Sequence, residues 1–442
     1  MKNKRRKKKL FFAKIVLILA LLLIGGTVAV VSNHLKSENS MVNNETEHTE
    51  ANMRNDSVLH MEESEAPMLP KRTETSVQED IVQESTAQEP SVEERIEAII
   101  SHMELEDKVA QLFVVLPEAM IDAGTVTAAG EMTQNAINKT PVGGFIYMEG
   151  NLISDEQVKT MLKNVQQYSL ERIGLPAFLC IDEEGGSVTR ISGTGKFSVP
   201  EITDMAVIGA IGDAKMAYDI GQQMGNYLAE LGFNVNFAPD ADVLSNPDNR
   251  VVSKRSFGSN PKVVTDMTMS LAKGLQANGV CATYKHFPGH GATTGDTHDG
   301  YAYTNKSLAE LQDCELIPFE RAVTDDIPFI MVGHISTPTI TGDNIPASLS
   351  HTMITEVLRQ QMGYDGIVIT DAFNMGAVMQ NYSSERAAIQ AINAGVDIIL
   401  MPADFESAYH GVLKAVENGE LPEERINESL TRILKVKLQM KE

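Results

Sequence analysis

Eight short apolar runs recur between residues 112 and 401. They are Leu112 to Leu116, Gly144 to Met148, Ala177 to Ile181, Asn234 to Ala238, Val280 to Tyr284, Phe329 to Val332, Ile367 to Thr370 and Asp397 to Met401. Unbroken apolar runs of four or five residues read as parallel strands buried on both faces. Helical periodicity fills the spaces between them, as in the stripe Ile426, Leu430, Ile433 and Leu434. Order begins at Ser91, which forms a capping box with Glu94 ahead of the stripe Ile96, Ile99, Ile100 and Met103. Eight strand-helix units in series predict an α/β fold, a (β/α)8 barrel of the TIM type, over residues 91–442. A doubly wound open sheet is the competing arrangement.

The residues that follow the runs favour the barrel. Asp182 follows the third, Asp240 and Asp242 the fourth, Lys285 and His286 the fifth, His334 the sixth and Asp371 the seventh. In a barrel, the C-terminal ends of successive strands converge on one mouth, where barrel enzymes place their chemistry. An open sheet would gather these groups less completely.

One stretch, "KHFPGHGATTGDTH" (Lys285 to His298), concentrates three histidines, a lysine and an aspartate among three glycines. Such a sequence is expected to form a loop, and three chemistries compete for it. A metal site would use His286, His290, His298 and Asp296, but Pro288 and the glycines leave their directions unfixed, so no metal is expected. A phosphate loop would need a G-x-x-x-x-G-K-[ST] pattern, which is absent. Proton transfer remains. Asp296 and His298 flank one residue, so on an extended segment both side chains point the same way. A carboxylate on one imidazole nitrogen fixes the tautomer and raises the basicity of the other, suiting His298 to acid and base work. The plainer alternative is an exposed loop with incidental charges.

Asp371, at the end of "GIVIT", is a carboxylate delivered to the mouth. A strand-end aspartate is often only a helix cap. Paired with a separate proton donor, it also meets the needs of covalent glycoside cleavage, in which two such groups stand about 5 Å apart.

The ordered set "IDEEGGSVTRI", "APDADV", "KRSFGSNP", "KHFPGHGATTGDTH", "MVGHI" and "VITDAFNMGAV" resembles the single-domain β-N-acetylhexosaminidases of glycoside hydrolase family 3, from Ser91 to the C-terminus. The resemblance implies Asp371 as nucleophile, His298 as general acid/base and Asp296 as its orienting partner. It also implies that Asp182, Arg190, Arg255, Lys285 and His286 bind a non-reducing N-acetylglucosamine. Taken alone, either arginine reads as a surface ion pair. His334 and Asp242 are expected to line the mouth, and His290 either shapes the loop or meets substrate. Two positions depart from the common pattern, Ala292 where relatives carry Asp and Ser187 where they carry Arg. Neither touches the proposed chemistry, so specificity rather than activity is in question. The expected reaction is a retaining exo-cleavage, with His298 swinging in on its glycine-rich loop after substrate arrives. A histidine donor is neutral after the first step, which leaves phosphorolysis open as an alternative, and a non-catalytic wall-binding protein is a second one.

The N-terminus sets the location. "KNKRRKKK" precedes "LFFAKIVLILALLLIGGTVAVV", an apolar segment able to cross a hydrocarbon core of roughly 30 Å. Residues 1–36 are expected to be an uncleaved signal anchor, or else a cleaved signal peptide, with the basic flank cytoplasmic and the rest outside. Residues 37–90, rich in Glu, Ser, Thr, Gln and Asn, read as a disordered acidic linker. The net charge of −23 argues against nucleic acid as a natural partner. Three cysteines make no disulfide framework, and the absence of Trp suits a pocket for one terminal sugar better than a polymer cleft. The implied partners are therefore a small glycan, muropeptide fragments first among them, and the membrane through the N-terminal segment.

Overall fold

The structure, a computed structural model, describes residues 90–295, 300 and 302–440. The segments expected to be a signal anchor (1–36) and an acidic linker (37–90, apart from Pro90) lie outside the described residues. Among those described, no helix is long and apolar enough to cross a membrane.

All eight expected strands form: β1 (Phe113–Val115), β2 (Gly144–Ile146), β3 (Phe178–Ile181), β4 (Val235–Asn236), β5 (Cys281–Phe287), β6 (Phe329–Val332), β7 (Ile367–Thr370) and β8 (Ile399–Leu400). They pair in parallel and in sequence order, and β8 pairs back onto β1 through Phe113 opposite Ile399. A parallel bridge between Ile369 and Ile398 closes the remaining gap, between β7 and β8. A doubly wound sheet would reverse its strand order at a switch point. This order never reverses, so the arrangement is a closed barrel. Both faces of its strands are apolar, with Phe113, Val114, Phe178, Leu179, Ile330 and Val368 all buried.

The helices stand outside the ring and end as their sequences dictate. Val92–His102 starts at the Ser91 capping box, with both reciprocal hydrogen bonds made. Asp155–Ile173 starts at the Ser154 cap and stops at Gly174 in the left-handed conformation. Glu423–Lys437 buries the expected stripe of Ile426, Leu430, Ile433 and Leu434. Five strands, β1, β2, β3, β4 and β8, are shorter than their apolar runs. β5 is longer, so Lys285, His286 and Phe287 are strand residues rather than the loop expected from the glycines. The reason is pairing: Phe287 aligns with Val332, beyond a register shift after Tyr284.

At the bottom of the barrel, Asp397 holds β7 and β8 together. Its backbone N–H donates to the Val368 carbonyl (2.8 Å), and its Oδ2 accepts from the Val368 N–H (2.9 Å). Arg359 (2.5 Å), Arg432 (3.2 Å), Arg425 (3.5 Å) and the Ser429 hydroxyl (2.8 Å) surround the same carboxylate. Burial works to raise the Asp397 pKa, but Arg359, Arg432 and Arg425 outweigh it and hold the carboxyl below its usual range. The unfolded value is about 3.9. The stabilisation is therefore complete above that value and is lost as pH falls through the lower folded one. Asp397→Asn is expected to cost about 3–5 kcal/mol at neutral pH by stranding buried guanidinium groups. Its urea midpoint should also change less than that of the wild type between about pH 5 and 3.

Candidate active site

The strand ends meet at the opposite face of the barrel. Asp182 follows β3 directly, and its Oδ1 accepts from Lys285 Nζ on β5 at 2.9 Å. The Arg190 guanidinium approaches the other oxygen of Asp182 at 3.8 Å. Lys285 also meets Glu184 Oε1 at 2.6 Å. Glu184 in turn takes a two-point contact from Arg255, Nε at 2.7 Å and Nη2 at 2.8 Å. Arg255 Nη2 reaches His286 Nε2 at 3.2 Å, and His286 Nδ1 lies 2.8 Å from Asp242 Oδ2. The five residues expected to bind sugar therefore stand in one continuous network. Glu184 is its internal link, and Asp242 anchors its His286 end.

Charge is distributed unevenly within that network. Burial works to raise the Glu184 pKa, but Arg255 and Lys285 hold it far below the usual carboxylate range. Burial works to lower the Lys285 pKa, and Asp182 and Glu184 carry it above the ordinary lysine value. Asp240 differs: burial and the neighbouring Asp242 push its carboxyl well above the usual range. Its Oδ2 has no hydrogen-bond partner, and the nearest cation, Arg255 Nε, stands at 3.5 Å.

Asp371 follows β7, with its backbone N–H bonded to the Val332 carbonyl and its Oδ1 accepting from the Ala372 N–H at 2.8 Å. Burial works to raise its pKa, but the charges of His286 and His334 and the Ala372 N–H hold it below the ordinary value. The carboxylate therefore stays ionised. His334 Nε2 lies 3.0 Å from the Ala372 carbonyl and its Nδ1 2.8 Å from Ser348 Oγ, so it also fixes the peptide after Asp371.

Asp296 and His298 lie outside the described residues. The stem that carries their segment does not. Thr294 and Tyr303 pair antiparallel, and Ala302–Tyr303 pairs in parallel with Ile335–Ser336. Gly289 adopts φ of +122°, and a Cβ on Gly291 would meet the Val243 carbonyl oxygen at 1.9 Å, so both positions require glycine. His290 lies beneath this loop and not at its surface. Its N–H donates to Asp242 Oδ1 (2.5 Å), its Nδ1 meets Thr293 Oγ1 (2.9 Å), and burial lowers its pKa.

Asp240, Asp242 and His286 bring donor atoms within 4.8 Å of one another. Their partners do not suit a cation. Asp242 accepts from the backbone N–H groups of His286 and His290 and faces the His286 ring, and Arg255 stands against both Asp240 and His286 Nε2. A resident cation would displace a guanidinium already in place.

Sequence reasoning missed Glu184, which stands two residues after Asp182 in "DEEGG". Alternation along an extended chain places both carboxylates on one side, and that spacing was the available signal. Asp240 was noted only as a strand-end group.

A closed parallel barrel with carboxylates, lysine, arginines and histidine around its mouth is an enzyme architecture suited to a polyhydroxylated ligand. Residues 104–436 match the model of the glycosyl hydrolase family 3 N-terminal domain. The chain is 34% identical over 344 residues to the β-hexosaminidase LpqI of Mycobacterium tuberculosis, covering 75% of this chain and 82% of that protein. It is 33% identical over 349 residues to β-hexosaminidase A of Pseudoalteromonas piscicida, covering 73% of this chain and 58% of that protein. A solved family 3 β-N-acetylglucosaminidase from Paenibacillus superposes with a TM-score of 0.71 at 36% identity, over 76% of this chain and 62% of that one. The chain thus spans less than two thirds of the length of the last two. The chain belongs to glycosyl hydrolase family 3.

Arg255→Ala would leave Glu184 buried with Lys285 alone among the described cations. A loss of about 3–5 kcal/mol is expected in urea unfolding. Arg255→Lys, which keeps the charge but not the two-point fork, should fall between the variant and wild type.

Proposed function

We propose that this protein is a retaining exo-β-N-acetylglucosaminidase acting through a covalent glycosyl-Asp371 intermediate. The observation that carries the reading is the Asp371 carboxylate at the end of β7, opposite Asp182 at the end of β3 in the ring of eight strands, with Lys285 on β5 between them. The likeness to β-hexosaminidases supports N-acetylhexosaminides as the substrate class.

In the first step, Asp371 attacks the anomeric carbon as protonated His298 gives its proton to the departing glycosidic oxygen. The carbon–oxygen bond breaks, and the sugar is left on Asp371. In the second step, neutral His298 takes a proton from water, whose oxygen attacks the same carbon. The sugar leaves with retained configuration, and the Asp371 carboxylate is restored. Asp296 holds the His298 ring in the tautomer both steps need. Asp182 and Lys285 supply charge-assisted hydrogen bonds for ring hydroxyls. Arg190 and Arg255 hold these carboxylates and the sugar.

The N-terminal sequence supports a place outside the cytoplasm, tethered to the membrane, with cell-wall muropeptides as the natural source of terminal N-acetylglucosamine.

Asp371→Asn should lower kcat on 4-nitrophenyl N-acetyl-β-glucosaminide by roughly a thousandfold or more. Substantial activity in the pure variant would remove Asp371 from the mechanism. His298→Ala should spare this substrate, whose leaving group needs little protonation, far more than a disaccharide. Equal losses on both would deny His298 the acid role. Product analysis with added phosphate separates the two transfers, since a sugar-1-phosphate would mark phosphorolysis.

A further inference from the structure

We propose that Glu183 is a positioning residue that sets Arg190 against Asp182 for sugar binding. The proposal rests on the glycosidase reading and assigns a task to a residue that the reading leaves unused.

Asp182 and Glu184 both contact Lys285, so they share one side of the chain. Alternation then sends the Glu183 side chain to the other side, away from the mouth. It is fully buried there. Its Oε2 accepts from the backbone N–H groups of Arg190 (2.6 Å) and Ile191 (2.9 Å). Its Oε1 accepts from the Ser192 N–H (2.9 Å) and the Tyr227 hydroxyl (2.9 Å). Three successive backbone donors and a phenol thus converge on one carboxylate, which has about four acceptor positions to offer. No cation pairs with it among the described residues, so these four donors alone balance a buried charge.

The backbone of Glu183 is fixed as firmly as its side chain. Its N–H donates to Asn236 Oδ1 (3.0 Å), and its carbonyl accepts from Asn236 Nδ2 (2.8 Å), which ties it to β4. The chain then turns back within a few residues, with the N–H groups of Glu184 and Gly185 both bonded to the Val188 carbonyl. It returns over the Glu183 carboxylate as residues 190–192. Arg190 begins that return, and its guanidinium ends 3.8 Å from Asp182. Tyr227 comes from the helix Ala214–Leu231, where burial and the Glu183 charge keep its hydroxyl protonated and donating. The sugar-binding loop is thereby fastened to both the barrel wall and an outer helix.

The test measures kcat and KM of the full-length protein on 4-nitrophenyl N-acetyl-β-glucosaminide for wild type, Glu183→Gln, Tyr227→Phe, Arg190→Ala and the two doubles with Arg190→Ala. Glu183→Gln cannot accept all four bonds, and KM should rise about tenfold. kcat should stay within about twofold, since the chemistry stands elsewhere. Neither Glu183→Gln nor Tyr227→Phe should raise KM further in the Arg190→Ala background, because each acts through that side chain. If Glu183→Gln does not fold, Tyr227→Phe removes one donor of four and should still raise KM by about threefold. A folded variant with a lowered melting midpoint but unchanged KM would reduce the residue to a structural part and overturn the proposal. Additive effects with Arg190→Ala would overturn it as well. Wild type without turnover would instead sink the glycosidase reading, and the proposal with it.

Discussion

The chemistry proposed here depends on closure of the ring between β7 and β8, held by Asp397. In a closed ring of eight strands, β3 and β7 stand across from each other. Asp182 and Asp371 consequently face one another over the mouth, and Lys285 and His286 project from β5 between them. Opened at this seam, the same sheet would send Asp371 to its far edge. Closure also explains the burial of Asp397. The carboxylate bridges backbone and three arginines at the point where two short strands could not pair firmly by themselves.

A second constraint follows at the mouth. Buried cations and carboxylates are tolerable only when each has partners. Lys285 and Arg255 share Glu184, and Arg255 shares itself between Glu184 and His286. Truncating one member strands the next. On the proposed reading, the same contacts hold donors ready for ring hydroxyls before a sugar arrives, which reduces the ordering that binding must impose.

The fold was legible in the sequence because strands buried on both faces leave continuous apolar runs, and all eight appeared where those runs lie. Their lengths were not legible. Hydrogen-bond pairing sets them, so the run at Asn234 to Ala238 shrinks to two residues while β5 extends through Lys285 and His286 to Phe287. At the mouth, Asp182, Arg190, Arg255, Lys285 and His286 were singled out through the family resemblance, and the structure joins them in one network. Glu183 and Glu184 were passed over because two adjacent glutamates look alike in a sequence. Alternation sends one into the mouth and the other beneath the loop. The depth of His290 was equally hidden, since glycines around a histidine do not reveal which side of a loop it takes.

The most direct test is to incubate the protein with a fluorinated N-acetylglucosaminyl donor that slows the second step, then locate the added mass by peptide sequencing. The expected result is one sugar per chain, attached to the peptide containing Asp371 and absent from Asp371→Asn. A sugar on any other side chain, or turnover with no trapped species and with inverted configuration, would contradict it.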